Sequence, residues 1–192
     1  KVNRSRVELA RQRGFQHDAA KYVMLPVYAR LRRPLIEERL AKLAAYAETF
    51  PFNQIMWGER NLGIVTSGVA YQYAREVFPN ASFLKLGMTY PLPQNLLRSF
   101  AAQVARLVVI EELDPFLEES IRAMGLEVAG KEFIPRVGEL SSSIVEEGSV
   151  SVGLLAGTPS PSAEGTTLEL PKRPPLLCPG CPHTGLFFVL NT

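Results

Sequence analysis

The 192 residues include only two histidines, two cysteines and one tryptophan. Neither histidine nor cysteine occurs between residues 53 and 150, so a Ser–His–Asp or Cys–His machine inside that stretch is excluded on inventory. No G-x-G-x-x-G or G-x-x-x-x-G-K-[ST] run is present. Apolar runs are broken by charge, Gly or Pro well short of the roughly 18 residues that a bilayer span needs, so no membrane role is expected. The opening residues lack the basic-then-apolar order of a secretory leader, and Cys178 and Cys181 are too close in sequence for a disulfide framework. A cytoplasmic setting is the expectation.

What is present is unevenly distributed. The net charge is +2, yet residues 1–42 hold eleven Lys and Arg against four acids, and residues 43–192 hold ten against fifteen. The arginines of the basic head are not interleaved with stacking aromatics or a zinc-finger spacing, which argues for a solvated or partner-facing surface and against nucleic acid. The chain opens without Met and stops in the apolar run 185–190, so a piece of a longer polypeptide is expected.

Residues 1–33 lack a sustained period and read as an irregular arm with one short helix, anchored by Tyr22-Val-Met-Leu25. Leu35, Leu40, Leu43, Ala44 and Ala47 share one helical face, and Pro34 suits a first helical position, predicting a helix over 34–49. Together, residues 1–52 form a basic arm and connecting helix. Beyond Phe50-Pro51, short apolar runs alternate with amphipathic stretches, the pattern of βα units around a parallel sheet. Strands are expected at 54–57, 62–66, 82–86 and 107–111. Helices are expected at 69–78, 94–105 and 116–124, with Gly125 after the last of these. Val128 or Phe133-Ile134 supplies a fifth short strand, and Ser141–Glu146 a serine-capped helical turn. The fold class is α/β: a three-layer αβα sandwich with a mainly parallel sheet over residues 53–156. A Pro-rich linker, 157–175, follows. Residues 176–192 begin something else.

Four places carry candidate chemistry. Thr66-Ser67-Gly68 sits at a strand-to-helix turn on the carboxyl edge of the sheet, where backbone N–H groups can meet an anion or cofactor; tight packing is the competing explanation. Glu111-Glu112-Leu113-Asp114 ends a strand. There Asp114 can cap the helix that Pro115 begins, while Glu111 and Asp114 are candidate contacts across a domain or subunit boundary. Lys85 precedes a proline-stiffened loop suited to an interface, or to a phosphate. Cys178-Pro-Gly-Cys181 can supply half of an iron or zinc site, or a redox pair, with no second ligand pair elsewhere in the chain. A free-standing nucleotide- or anion-binding α/β module is the alternative to an enzyme fragment.

The series Lys21-Tyr-Val-Met-Leu-Pro26, Leu62-Gly-Ile-Val-Thr-Ser-Gly-Val-Ala-Tyr71, Leu84-Lys-Leu-Gly87, Tyr90-Pro-Leu-Pro93, Val109-Ile-Glu-Glu-Leu-Asp114, Arg173-Pro-Pro and Cys178-Pro-Gly-Cys-Pro-His183 resembles, in this order, the middle of the large subunit of indolepyruvate ferredoxin oxidoreductases. That resemblance implies part of an enzyme that oxidatively decarboxylates arylpyruvates to aryl-acetyl-CoA and reduces ferredoxin. It implies thiamine diphosphate and [4Fe-4S] clusters in the complete enzyme and CoA as co-substrate. The rest of the same polypeptide and a second, smaller subunit are the implied partners. Residues 53–156 then resemble a transketolase C-terminal-like domain, structural and interfacial, which would be inactive alone. Residues 176–192 resemble the start of a thiamine-diphosphate-binding domain, and Cys178 and Cys181 become candidate cluster ligands.

Overall fold

The computed structural model describes residue 14, residues 16–158, residue 177 and residues 180–191. The chain divides into two compact units, Lys1–Pro159 and Ser160–Thr192. In the first, α1 (Ala19–Tyr22) and α2 (Pro26–Ala47) precede β1 (Gln54–Met56), β2 (Glu59–Ser67), α3 (Ala70–Val77), β3 (Ala81–Leu86), α4 (Gln94–Ala101), β4 (Arg106–Ile110), α5 (Phe116–Ala123) and α6 (Ser142–Ser151). The second unit contains α7 (Pro182–Leu190). Among the described residues no helix is long and apolar enough to cross a membrane.

The four strands form one sheet in the order β1-β3-β2-β4. Strand β2 lies parallel to both β3 and β4, with Ile64 opposite Phe83 and Val108, while β1 joins the edge of β3 antiparallel. Alternate residues point to opposite faces of a strand, and both faces are apolar here. On one, Ile64, Phe83, Val108 and Ile110 pack under Ala70 and Ala74 of α3 and Val145 of α6. On the other, Val65, Leu84, Leu86 and Val109 pack under Leu97 and Phe100 of α4 and Leu117 and Ile121 of α5. A strand buried on both faces needs a continuous apolar run, which is what made β2 and β4 readable in the sequence. The expected three-layer α/β architecture is borne out.

Four local expectations are not. The helix assigned to residues 34–49 begins two turns earlier, at Pro26, and Pro34 lies inside it. Pro26 takes the first-turn place where a missing N–H costs nothing, and Pro34 is tolerated as an interior proline. The proposed anchor Tyr22-Val-Met-Leu25 is exposed throughout. The helix expected over 94–105 closes at Ala101, where the chain turns to bring Ala105 N–H onto the Arg60 carbonyl at 2.8 Å. The fifth strand shrinks to a single parallel bridge between Val108 and Ala129. There Val109 N–H donates to the Ala129 carbonyl and Ala129 N–H to that of Leu107, after which Lys131 and Glu132 lead into turns.

The serine cap on α6 is as expected: Ser141 Oγ accepts from Ile144 N–H. Gly125 follows α5 with φ of +79°, a conformation that favours glycine.

Candidate functional site

Parallel strands deliver their following loops to one edge of the sheet. The loops after β2 and β4 meet there in a cleft of about 420 Å³ lined by Ser67, Gly68, Thr89, Glu111, Glu112 and Asp114. Gly68 turns the chain from β2 into α3 with φ of +57°, so a side chain there would strain the turn. Val69 occupies the N-cap position of α3 without a side-chain cap. Thr66 is fully buried, and its Oγ1 has no hydrogen-bond partner among the described residues. Of the three residues singled out at this turn, Ser67 and Gly68 face the cleft and Thr66 lies inside the fold.

The acidic loop is divided in its work. The Glu111 side chain turns inward, and its two carboxylate oxygens accept from the backbone N–H groups of Leu117 at 2.8 Å and Glu118 at 3.0 Å. This is the cap of α5. The sequence assigned that role to Asp114, but Pro115 occupies the N-cap position and no side chain within the helix start supplies a cap. The carboxylate reaches forward from the strand end instead. Burial pushes the Glu111 carboxyl above its ordinary range, opposed by the two N–H donors and by the charge of Lys131. Burial likewise lowers the Lys131 pKa, opposed by Glu111 and Glu118. Glu118, nearly fully buried, accepts from Lys131 N–H at 2.7 Å and pairs with Arg122 at 2.7 Å. Arg122 in turn donates to the Val128 carbonyl.

Glu112 accepts from Leu140 N–H at 2.7 Å, tying the far end of the 128–140 segment to the same loop. Sequence reading missed Glu118, Lys131 and Arg122, although the i,i+4 spacing of Glu118 and Arg122 was a usable signal. Leu113, between Glu112 and Asp114, has φ of +58°, an uncommon conformation for a branched residue. It is exposed and lines the cleft with Val69 and Phe116. Lys85 stands apart from the cleft: it pairs with Thr66 across the sheet and places its ammonium 4.7 Å from the Tyr71 ring centroid.

The cleft lining contains three carboxylates and no Lys, Arg or His, a makeup that opposes an anion such as a diphosphate. Its residues therefore do not fit thiamine diphosphate. In the second unit, Cys181 Sγ lies 3.3 Å from His183 Nδ1, and Cys178 lies outside the described residues. Among the described residues no group of three or more His, Cys, Asp or Glu side chains is placed to hold a metal, so they do not by themselves fit an iron–sulfur cluster.

Fold and cleft together define an α/β domain whose loops after β2 and β4 meet at the carboxyl edge of a mainly parallel sheet. The relatives are more specific. The chain is 37% identical over 183 residues to the indolepyruvate oxidoreductase subunit IorA of Archaeoglobus fulgidus, covering 88% of this chain and 29% of that one. It is 31% identical to IorA of Pyrococcus horikoshii and 30% identical to IorA of Methanothermobacter thermautotrophicus, each match covering 92% of this chain and 30% of the relative.

The resemblance read from the motifs is borne out: over about nine-tenths of its length this chain is a homologue of a segment of the IorA subunit. It spans about 30% of the length of those relatives. No family model matches it. A solved 2-oxoglutarate:ferredoxin oxidoreductase from Magnetococcus marinus, with 2-oxoglutarate, coenzyme A and succinyl-CoA bound, superposes on 56% of this chain and 20% of its own, at a TM-score of 0.42 and 19% identity.

Proposed function

We propose that this chain is an internal part of the large subunit of a 2-oxoacid:ferredoxin oxidoreductase. The complete enzyme oxidatively decarboxylates arylpyruvates such as indolepyruvate to aryl-acetyl-CoA, with ferredoxin as electron acceptor. The observation that carries the reading is the identity of 30–37% to IorA subunits along nearly the whole chain. Residues 53–156 act as a structural and interfacial domain that follows the connecting helix; the Pro-rich stretch expected to be a linker, 157–175, lies almost wholly outside the described residues. Residues 176–192 begin the domain that, with parts outside this chain, holds thiamine diphosphate.

The cleft supports such a role. Its carboxylates are largely committed to internal N–H groups, and the exposed apolar side chains around it favour a protein contact. Asp114 and Glu112 offer acid to a basic partner loop, Ser67 and Gly68 offer backbone at the same edge, and Lys85 lies on the adjoining strand. Cys178 and Cys181 are proposed as two ligands of a [4Fe-4S] cluster completed elsewhere in the enzyme. Partners are the remainder of the polypeptide, a second smaller subunit, ferredoxin and CoA.

The test is anaerobic purification of the intact complex and assay of viologen reduction with thiamine diphosphate, CoA and a series of 2-oxoacids. Arylpyruvate-dependent reduction is expected; an iron-replete complex that oxidises no 2-oxoacid overturns the assignment. Replacing Cys178 and Cys181 by serine should lower the bound iron, and unchanged iron content removes them as ligands.

A further inference from the structure

Helix α2 has 22 residues, of which only Ala47 is buried. Leu40, Leu43, Ala44 and Ala47, near its carboxyl end, are the residues partly or wholly covered there. On roughly the opposite side, Val27, Leu31 and Leu35 are 61%, 67% and 56% exposed. Residues four apart lie one above another on a helix, so these three form one apolar stripe.

Such a helix is not self-sufficient. Pro34 removes an interior hydrogen bond at a cost of about 3 kcal/mol, and isolated helices in water are marginal even with favourable sequences. A stripe facing away from the α/β body therefore calls for a covering surface.

Charge narrows what that surface is. The helix carries Arg30, Arg32, Arg33, Arg39 and Lys42 against Glu37 and Glu38. Arg33 pairs with Glu37 and Lys42 with Glu38, leaving Arg30, Arg32 and Arg39 without an ion pair among the described residues. A matching surface is apolar at its centre and edged with carboxylates. About 70% of the length of the IorA relatives lies outside the segment that this chain matches, ample polypeptide to provide it.

We infer that the outer flank of α2, Val27, Leu31 and Leu35 with Arg30 beside them, docks on an acid-edged apolar surface contributed by the remainder of the same subunit. The inference rests on the reading of the chain as part of a larger subunit. It makes α2 a connecting strut gripped on both sides, by the α/β domain at its carboxyl end and by another part of the polypeptide along its first three turns.

Amide hydrogen exchange on the intact complex tests it. Residues 26–39 should exchange at least about 100-fold more slowly than an unstructured chain, independently of protein concentration. Leu31→Glu should remove about tenfold or more of that protection, and Arg30→Glu several-fold, while the β2 and β4 amides report that the domain remains folded. Unprotected residues 26–39 overturn the docking, as does protection that survives Leu31→Glu or that grows with protein concentration, which would mark a second copy as the partner. Protection untouched by Arg30→Glu overturns the acidic character of the surface. Viologen reduction on the same preparation separates the two readings: protection without 2-oxoacid oxidation keeps the docking and removes the enzyme assignment.

Discussion

Lys131 places its ammonium group on the main-chain carbonyl of Glu111, donating to it at 2.5 Å, while its own N–H donates to Glu118. One residue thus bridges the end of β4 and the start of α5 from a segment that makes only one strand-like contact with the sheet. Replacing Lys131 by methionine keeps the aliphatic stem but removes the donor and its charge. The expected loss is about 1–3 kcal/mol, read by urea unfolding at pH 7, and no loss would make the bridge incidental.

Glu111 gives a pH signature. Burial raises its folded-state pKa above the unfolded value of 4.5, so the folded protein holds the proton more tightly. That stabilising contribution is fully present below about 4.5 and is lost as pH rises through the raised value. Glu111→Gln carries no such titration. Its unfolding free energy should therefore gain on that of the natural protein as pH rises through this window, whatever the fixed cost of losing one acceptor. Parallel curves across the window would show that Glu111 titrates normally.

Gly148 lies within α6, where alanine ordinarily gains about 1 kcal/mol over glycine. A Cβ there would sit 2.0 Å from the Phe133 carbonyl oxygen. The contact is with backbone, so Gly148→Ala should destabilise by about 2 kcal/mol or more despite the better propensity. Thermal unfolding decides the sign.

Leu113 presents the opposite case. Its φ of +58° costs a branched residue about 1 kcal/mol or more, and its side chain is exposed. Leu113→Gly should leave the domain as stable or up to about 1 kcal/mol more stable, while weakening assembly of the intact complex if the leucine is a contact. A clear fall in melting temperature would show that the side chain packs within the domain.

How far the sequence could be read depended on the range of the interaction. Strands β2 and β4 were legible because burial on both faces writes a continuous apolar run. The α5 cap was misassigned because Asp114 stands adjacent to the helix, whereas Glu111 reaches it only after the loop has folded. Helix α2 was cut short because Pro34 reads locally as a first helical residue, and only the structure shows the helix already running before it. Of the cleft, the turn residues Ser67 and Gly68 were visible from strand-to-helix punctuation. The Glu118, Lys131 and Arg122 network was not, because Lys131 lies twenty residues from Glu111 and no periodicity connects them.

Glu48 joins α2 to α4 through the backbone alone, its two carboxylate oxygens accepting from Asn95 and Leu96 N–H at 3.0 Å each. Every residue but proline offers the same N–H. The joint therefore places no demand on which side chains stand at positions 95 and 96, and concentrates its whole chemical requirement in one acid. Substituting anything but proline at positions 95 and 96 leaves both donors in place, whereas losing the carboxylate at position 48 removes both hydrogen bonds at once.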